Sequence, residues 1–287
     1  MNQMLMSGKD ESLEFNPDNY WDWYWQGKRL VDQELHEEAI ASFDKALEIE
    51  PDDYWAWYKR SKALQDAGRY EEAIASFDKT LEIRPQDYWA WYNRGCLALE
   101  DLDEFEEAIA SFDKVLEIRP TDYWGWFRRG DALRHLKRYS EAIACYDKAL
   151  AIREDDTSAW LRRGDTLRLL GRYEEALASY DKAIDDPELG FWVWYKRGDV
   201  LRYLKRHSEA IASYDKALAI QPNDEYSWYN KACCYALLGD RDSAIESLQR
   251  AIALHPAEYK SLAKTDPDFD GIRQNKRFQA LLQGAID

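Results

Sequence analysis

The chain has 287 residues, with Lys+Arg 39 against Asp+Glu 55, a net charge of −16 and a pI of about 4.8. That balance argues against a general duplex-DNA binder, which needs surplus positive charge, and 46% hydrophobic residues exclude a disordered chain. Thirteen Trp and 19 Tyr raise the aromatic share to 14%, while four Cys are too few for a disulfide framework. No stretch reaches the roughly 20 apolar residues of a membrane span, and the first ten residues have neither the basic nor the apolar region of a secretory signal. The expected compartment is the reducing cytoplasm.

Residues 1–19 are polar and aperiodic and are expected to form a flexible leader. From there the chain repeats itself. The string Glu-Ala-Ile-Ala-Ser-Phe-Asp-Lys begins at Glu38, Glu72 and Glu107, with relatives at Glu141, Glu175, Glu209 and Ser243, spaced 34, 35, 34, 34, 34 and 34 residues apart. About 16 residues before each stands a second string: Trp23-Tyr24, Trp57-Tyr58, Trp91-Tyr92, Trp126-Phe127, Trp160-Leu161, Trp194-Tyr195 and Trp228-Tyr229. The spacing defines seven copies: 20–53, 54–87, 88–122, 123–156, 157–190, 191–224 and 225–258.

Each copy reads as two helices. In the second copy Trp57, Leu64 and Ala67 recur at helical spacing before Gly68 breaks the helix. Ala73, Phe77, Thr80 and Leu81 make the stripe of the next helix, which Pro85 ends. Small residues fall where the two helices should cross closely: Gly27, Gly95, Gly130, Gly164 and Gly198 in the first, Ala39, Ala73, Ala108, Ala142, Ala176 and Ala210 in the second. Neither helix can bury its apolar face alone, so successive pairs must stack. Beyond the repeats, residues 259–287 complete a capping tail: a helical piece from Ala257 to Lys264, a turn at Thr265–Asp268, and an amphipathic segment with Phe278, Leu281 and Leu282.

This pattern resembles the tetratricopeptide repeat (TPR) family. The family's signature Trp, Gly, Leu, Ala, Tyr, Ala and Pro appear in the sixth copy as Trp194, Gly198, Leu201, Ala210, Tyr214, Ala217 and Pro222. The resemblance implies an all-α, right-handed superhelical solenoid of antiparallel helix pairs, and the tail is similar to the capping tails of bacterial members. Departures are local. Arg60, Arg94, Arg129, Arg163 and Arg197 replace a family Leu, an extra residue near Leu102-Asp103 lengthens the third copy's turn, Glu154 stands where the fourth copy should have Pro, and Pro187 comes one place early.

No convergent set of acids, bases and nucleophiles stands out. His36 and His207 take the slot of Tyr70, Tyr139 and Tyr173 and read as half-buried fillers. Cys96, Cys145, Cys233 and Cys234 lack metal-ligand spacing, and Cys233-Cys234 reads as helix packing. Glu71-Glu72 and Glu106-Glu107 sit at helix starts, where they favour the dipole. A non-enzymatic protein with no cofactor or metal is expected.

The resemblance implies that first helices line a concave groove and that the signature Trp residues belong to the core. The groove slots lie two before the signature Trp, then one, two, five and eight after it. The earliest slot holds Trp21, Trp55, Trp89, Trp124, Ser158, Trp192 and Tyr226. The next holds Tyr24, Tyr58, Tyr92, Phe127, Leu161, Tyr195 and Tyr229, and the third Trp25, Lys59, Asn93, Arg128, Arg162, Lys196 and Asn230. Two aromatic rows beside a partly basic row suit a peptide: Trp and Tyr give contact area, Asn93 and Asn230 could hydrogen-bond its backbone, and Arg128, Arg162, Lys196 and Arg202 could pair with its carboxylates. The aromatics could equally pack between repeats and merely stiffen the array.

Charge also separates along each copy. In residues 123–136 three arginines (128, 129, 134) face one aspartate (Asp131), leaving +2, and residues 157–170 repeat the arrangement around Asp165. Asp131, Asp165 and Asp199 each lie three residues from cations on either side in their own helix, so mutual neutralisation competes with an anion-attracting strip. The family's chaperone-tail clamp of Lys, Asn, Asn, Lys and Arg reads here as Tyr24, Lys28, Lys59, Trp89 and Asn93, so that ligand is not expected. The expected partner is a protein or peptide with acidic or apolar residues, bound by a monomer. Single-stranded nucleic acid, which stacks on aromatics beside cations, and self-assembly are the alternatives, the first disfavoured by total charge.

Overall fold

The computed structural model describes residues 16–284, so the expected leader falls largely outside the described residues. These residues form two compact units, the first ending at Pro120 and the second starting at Thr121. No strand occurs among them.

In the first unit, helices Tyr20–Asp32 (α1), His36–Ile49 (α2), Tyr54–Asp66 (α3), Tyr70–Ile83 (α4), Tyr88–Glu100 (α5) and Phe105–Ile118 (α6) form antiparallel pairs, and each second helix also packs on the first helix of the next pair. Asn19, Asp53 and Asp87 cap the first helices, accepting from the Trp21, Ala56 and Ala90 amides. The core is Phe43 and Phe77 against Ala39, Ala73, Leu64 and Leu97. Close crossing is what the small residues provide: a Cβ on Gly27 would stand 2.7 Å from the Phe43 ring.

The second unit continues with Tyr123–His135 (α7), Tyr139–Ile152 (α8), Thr157–Leu169 (α9), Tyr173–Ala183 (α10), Gly190–Tyr203 (α11), His207–Ile220 (α12), Glu225–Leu238 (α13) and Arg241–Leu254 (α14). The tail adds Pro256–Thr265 (α15), a 3₁₀ turn at Pro267–Phe269, and Lys276–Gln283 (α16). Tyr259, Phe269, Ile272 and Phe278 of this tail are buried against Tyr229, Cys233, Leu248 and Ile252, closing the apolar end of the array. The early Pro187 follows a shortened α10, which ends at Ala183.

The signature tryptophans pack against the core from its rim rather than lying inside it. All seven are half-buried, and the indole N–H of Trp23, Trp57, Trp91, Trp160 and Trp228 donates to the carbonyl six residues earlier at 2.7–2.9 Å. That acceptor is a Pro carbonyl in four of these copies and Glu154 in the fifth copy, so losing the proline costs no hydrogen bond. Complete burial falls instead on the aromatic of the first six second helices, Phe43, Phe77, Phe112, Tyr146, Tyr180 and Tyr214, and on Leu248 in the seventh.

The arginines that depart from the family pattern rivet the stack. Arg94 Nε donates to Asp78 on the preceding helix at 2.7 Å and its Nη1 to Ser111 on its own partner helix at 2.8 Å. Arg60 joins Asp44 and Ser76, Arg163 joins Asp147 and Ser179, and Arg197 joins Asp181 and Ser213 in the same way. The Ser and Asp of the repeated Ser-Phe/Tyr-Asp-Lys string are therefore the two receptors of this clamp.

Candidate functional site

The faces carried by the first helices hold the candidate site, and their two aromatic rows behave differently. Trp21, Trp55 and Trp89 in the first unit, and Trp124 and Trp192 in the second, are each 41–57% exposed, with Tyr226 at 54%. The residues one place before the five tryptophans are buried. Tyr20 and Tyr54 donate their hydroxyls to Asp53 and Asp87, the aspartates that cap the first helix of the next copy, at 2.7 and 2.6 Å. Each capping carboxylate thus serves a helix start and an inter-repeat bond, and burial together with that carboxylate pushes both phenols well above their usual pKa. The first-row indoles stand edge-on to these fixed rings, as in Trp55 on Tyr54 at 4.9 Å and Trp124 on Tyr123 at 5.0 Å. Arginines at the ends of the second helices lie over these buried rings: Arg84 is 3.8 Å from Tyr54, Arg119 3.9 Å from Tyr88 and Arg153 4.4 Å from Tyr123, and Arg84 and Arg153 also stand 5.7 Å from Trp55 and Trp124. The exposed indoles are consequently mounted on a rigid base.

The second row is deeper than expected. Tyr24, Phe127 and Tyr229 are buried, whereas Tyr58, Tyr92 and Tyr195 are half-buried. Tyr24 is wedged between Tyr20 and Phe43, and Phe127 between Tyr123 and Tyr146, because the slot points back toward the second helix. Tyr229 belongs to the terminal core. It packs on Tyr259 and Phe269 and donates to Asp266 at 2.7 Å, so the tail claims the ring expected for a ligand. Arg202 is likewise paired with the tail's Asp268 at 3.3 Å. The amides of Asn93 and Asn230 are engaged by the protein itself, on the Trp89 carbonyl at 2.7 Å and on Asp199 at 3.1 Å.

The basic row of the second unit is an internal ladder. Asp131 accepts from Tyr146 at 2.8 Å and faces Arg162 at 3.6 Å; Asp165 accepts from Tyr180 at 2.9 Å and from Lys196; Asp199 accepts from Tyr214 at 2.8 Å and from Asn230. The pairs seen here join each copy to the next, beyond the same-helix partners that spacing alone suggests. Burial first, then the neighbouring aspartate, raises the pKa of Tyr146, Tyr180 and Tyr214 far beyond the ordinary phenol range. Burial also raises Asp199. Sequence reasoning missed this ladder, although the signal was present. Where the second-helix aromatic is Tyr the facing slot is Asp131, Asp165 or Asp199, and where it is Phe43, Phe77 or Phe112 the slot is Lys28, Lys62 or Cys96.

One concavity gathers the expected residues in the second unit. Trp124, Phe127, Leu161, Arg162, Trp192 and Lys196 line a cleft of about 400 Å³ together with Ser158, Asp156 and Asp165. In the first unit Trp21, Trp55 and Trp89 are exposed, and Tyr58, Tyr92 and Asn93 are half-buried. Arg128 lies beside Trp124, 6.0 Å from its ring.

Cys233, Asp266 and Asp268 could together hold a metal ion, since their ligand atoms lie within 4.8 Å of one another. Their chemistry is already committed. Asp266 takes the Tyr229 hydroxyl, Asp268 takes Arg202, and burial pushes the Cys233 thiol far above its usual pKa, which keeps it protonated. Cys234 is also pushed up by burial, to about 12, so neither sulfur is a ready nucleophile.

Five tetratricopeptide repeat models match this chain, at residues 30–93, 90–122, 123–156, 157–185 and 191–257. The chain belongs to the tetratricopeptide repeat family. TPR proteins are generally protein-interaction scaffolds. A TPR protein from Parabacteroides merdae ATCC 43184 shares 20% identity with a TM-score of 0.59, over 85% of this chain and 97% of that one. YrrB, described as a TPR protein with an unusual peptide-binding site, shares 24% identity with a TM-score of 0.56, over 63% of this chain and 92% of its own. MamA from Desulfovibrio magneticus RS-1 shares 20% with a TM-score of 0.54, over 60% and 96%. At these identities the likeness is one of fold. No curated protein sequence matches significantly. Among the described residues, no helix is long and apolar enough to cross a membrane.

Proposed function

We propose that this TPR chain is a non-enzymatic scaffold whose first-helix faces hold a peptide segment of a partner protein. The seven copies at 20–258 supply the faces, and the tail from 259 seals the end. The observation that carries this reading is the exposed tryptophans set, in each unit, on buried aromatic rings. An indole costs little rotamer entropy to immobilise, and Trp, Tyr and Arg dominate interface energies. Packing between repeats does not require these rings, because the buried tyrosines and the arginine clamps already do that work. The contacts favoured are Trp21, Trp55, Trp89, Trp124 and Trp192, with half-buried Tyr58, Tyr92 and Tyr195 beside them and Arg128, Arg162 and Lys196 as the polar border. A peptide-binding TPR protein of similar fold, YrrB, supports the class of ligand. The four free cysteines, three of them buried, suit a reducing cytoplasm.

Affinity capture from a native lysate with the wild type and a Trp89→Ala/Trp124→Ala/Trp192→Ala variant tests the reading. Partners should be lost from the variant while its far-UV circular dichroism is unchanged; retention of every partner would refute it. A salt titration separates the rival ligand. Peptide capture should change little between low and moderate salt, whereas single-stranded nucleic acid would dissociate steeply. Sedimentation across concentration should show a monomer; concentration-dependent growth abolished by the same substitutions would favour self-assembly.

A further inference from the structure

The fifth copy breaks the aromatic pattern at two adjacent positions. At the start of its first helix stand Thr157-Ser158, where five other copies carry Tyr20-Trp21, Tyr54-Trp55, Tyr88-Trp89, Tyr123-Trp124 and Phe191-Trp192 and the seventh carries Glu225-Tyr226. Two consequences follow. Thr157 keeps a bond to the turn before the next first helix, donating its hydroxyl to Asp186, which accepts from the Glu188 and Leu189 amides there and does not cap that helix. Ser158 supplies no indole, and the cleft of about 400 Å³ opens at that place. Its size falls within the range of roughly 300–1,000 Å³ typical of ligand sites.

The walls of the cleft are aromatic and its charges balance. Trp124 and Phe127 stand among the lining residues contributed by the fourth copy, Leu161 and Leu189 in the fifth, and Trp192 at the start of the sixth. Two cations, Arg162 and Lys196, and two carboxylates, Asp156 and Asp165, share the lining. Lys196 is bound to Asp165, which also holds the Tyr180 hydroxyl, and one Asp156 oxygen caps α9 through the Ala159 amide. An anionic side chain entering here meets two aspartates, and a cationic one meets Arg162 and Lys196. A neutral ring meets aromatic walls, a half-exposed guanidinium 3.6 Å from its nearest carboxylate, and carboxylate oxygens able to accept from a ring N–H or O–H.

We infer that this cleft is an anchor pocket for one neutral aromatic side chain of the partner, a tryptophan or a tyrosine, seated between Trp124 and Trp192 in the place that Ser158 leaves without an indole. The inference rests on the peptide-binding reading and gives it a specificity element: the partner completes the interrupted row.

The test uses the full chain with ¹⁵N-labelled indoles and four probes: N-acetyl-tryptophanamide, N-acetyl-tyrosinamide, N-acetyl-leucinamide and N-acetyl-glutamate amide. Indole cross-peaks of Trp124 and Trp192, assigned with Trp124→Phe and Trp192→Phe, should shift with the two aromatic probes, with dissociation constants on the order of a millimolar. Those of Trp21 and Trp55 should not. Affinity for the leucine and glutamate probes should be at least about fivefold weaker. Ser158→Trp, which restores the row from within, should weaken the aromatic probes by more than about tenfold while helicity and Tm are kept, and Ser158→Ala should bind as the wild type does. The inference falls if Ser158→Trp binds undiminished, if the leucine or glutamate probe binds as well, or if all indoles shift alike. Partner capture distinguishes the two levels. A partner lost from the triple tryptophan variant but kept by Ser158→Trp leaves the scaffold reading standing and removes the anchor.

Discussion

The Tyr180–Asp165 hydrogen bond is a buried bond to a charged acceptor, and its removal from either side has a calculable consequence. The Tyr180 ring is fully buried, its hydroxyl lies 2.9 Å from Asp165, and Asp165 is 9% exposed with Lys196 as its second donor. Tyr180→Phe leaves the carboxylate with one donor fewer, at a cost of about 1.5–3 kcal/mol for a bond to a charged group. Asp165→Ala leaves the hydroxyl buried without its carboxylate acceptor and Lys196 without a carboxylate, at a cost of about 2 kcal/mol. The double variant removes both partners and recreates an apolar contact of the kind that Phe77 makes in the second copy, so its cost should fall short of the sum by about 1.5 kcal/mol, inside the range of roughly 0.5–3 kcal/mol for contacting pairs. Urea denaturation of all four proteins, followed by far-UV circular dichroism, gives the coupling energy. Additive losses would mean that the hydroxyl and carboxylate do not act as a pair, and the ladder argument would be wrong.

Three further outcomes are expected. Gly198→Ala would place a Cβ 2.6 Å from the Tyr214 ring, itself fully buried, and should destabilise by about 1–3 kcal/mol by thermal unfolding; an unchanged Tm would show that the crossing is not tight. The turn inside each copy needs a left-handed residue, supplied by Gly68 and Gly171 but also by Lys137 and Lys205 at φ 59°. Lys137→Gly and Lys205→Gly should therefore each stabilise by about 0.5–1 kcal/mol while Gly171→Ala destabilises by a similar amount, and the reverse order in Tm would contradict the assignment. Tyr146, Tyr180 and Tyr214 have folded pKa values above the unfolded value, so they favour folding fully below about pH 10 and that contribution is lost as pH rises above it. Stability should be flat to about pH 9.5 and fall beyond, with the tyrosinate absorbance of these three residues, taken as the difference from their Tyr→Phe variants, appearing together with loss of helicity. Ionisation of these tyrosines near pH 10 in an intact fold would disprove their burial-driven shift.

The helices were legible because period, small residues and prolines each report a local constraint. A 34-residue spacing, Gly27 facing Phe43 and Pro85 after Ile83 say where helices lie and cross without any knowledge of distant contacts. The site was legible by half. Slot arithmetic put Trp55, Trp124 and Trp192 on an exposed face, since their direction depends only on their place on one helix. It could not tell that the Tyr24 and Phe127 rings turn inward, because that depends on how much room Phe43 and Tyr146 leave on the partner helix. Nor could it tell that Tyr229 and Arg202 are taken by the tail, whose Asp266 and Asp268 lie more than thirty residues away.

The same comparison shows what separates the two units chemically. In the first, Phe43, Phe77 and Phe112 close an apolar crossing, and Lys28, Lys62 and Cys96 stand in the slot above. In the second, Tyr146, Tyr180 and Tyr214 carry a hydroxyl to Asp131, Asp165 and Asp199, and Arg162, Lys196 and Asn230 of the following copies complete each node. A buried carboxylate with two donors is costly to misplace, so a repeat sliding by even one side chain would strand a charge. The second unit thereby has a register lock made of polar groups as well as shape. It is also where the aromatic row is interrupted. An unfilled cleft loses dispersion contacts along its walls, and Asp165, bonded to both Tyr180 and Lys196, ties two of its lining residues to each other and to the buried ring behind them.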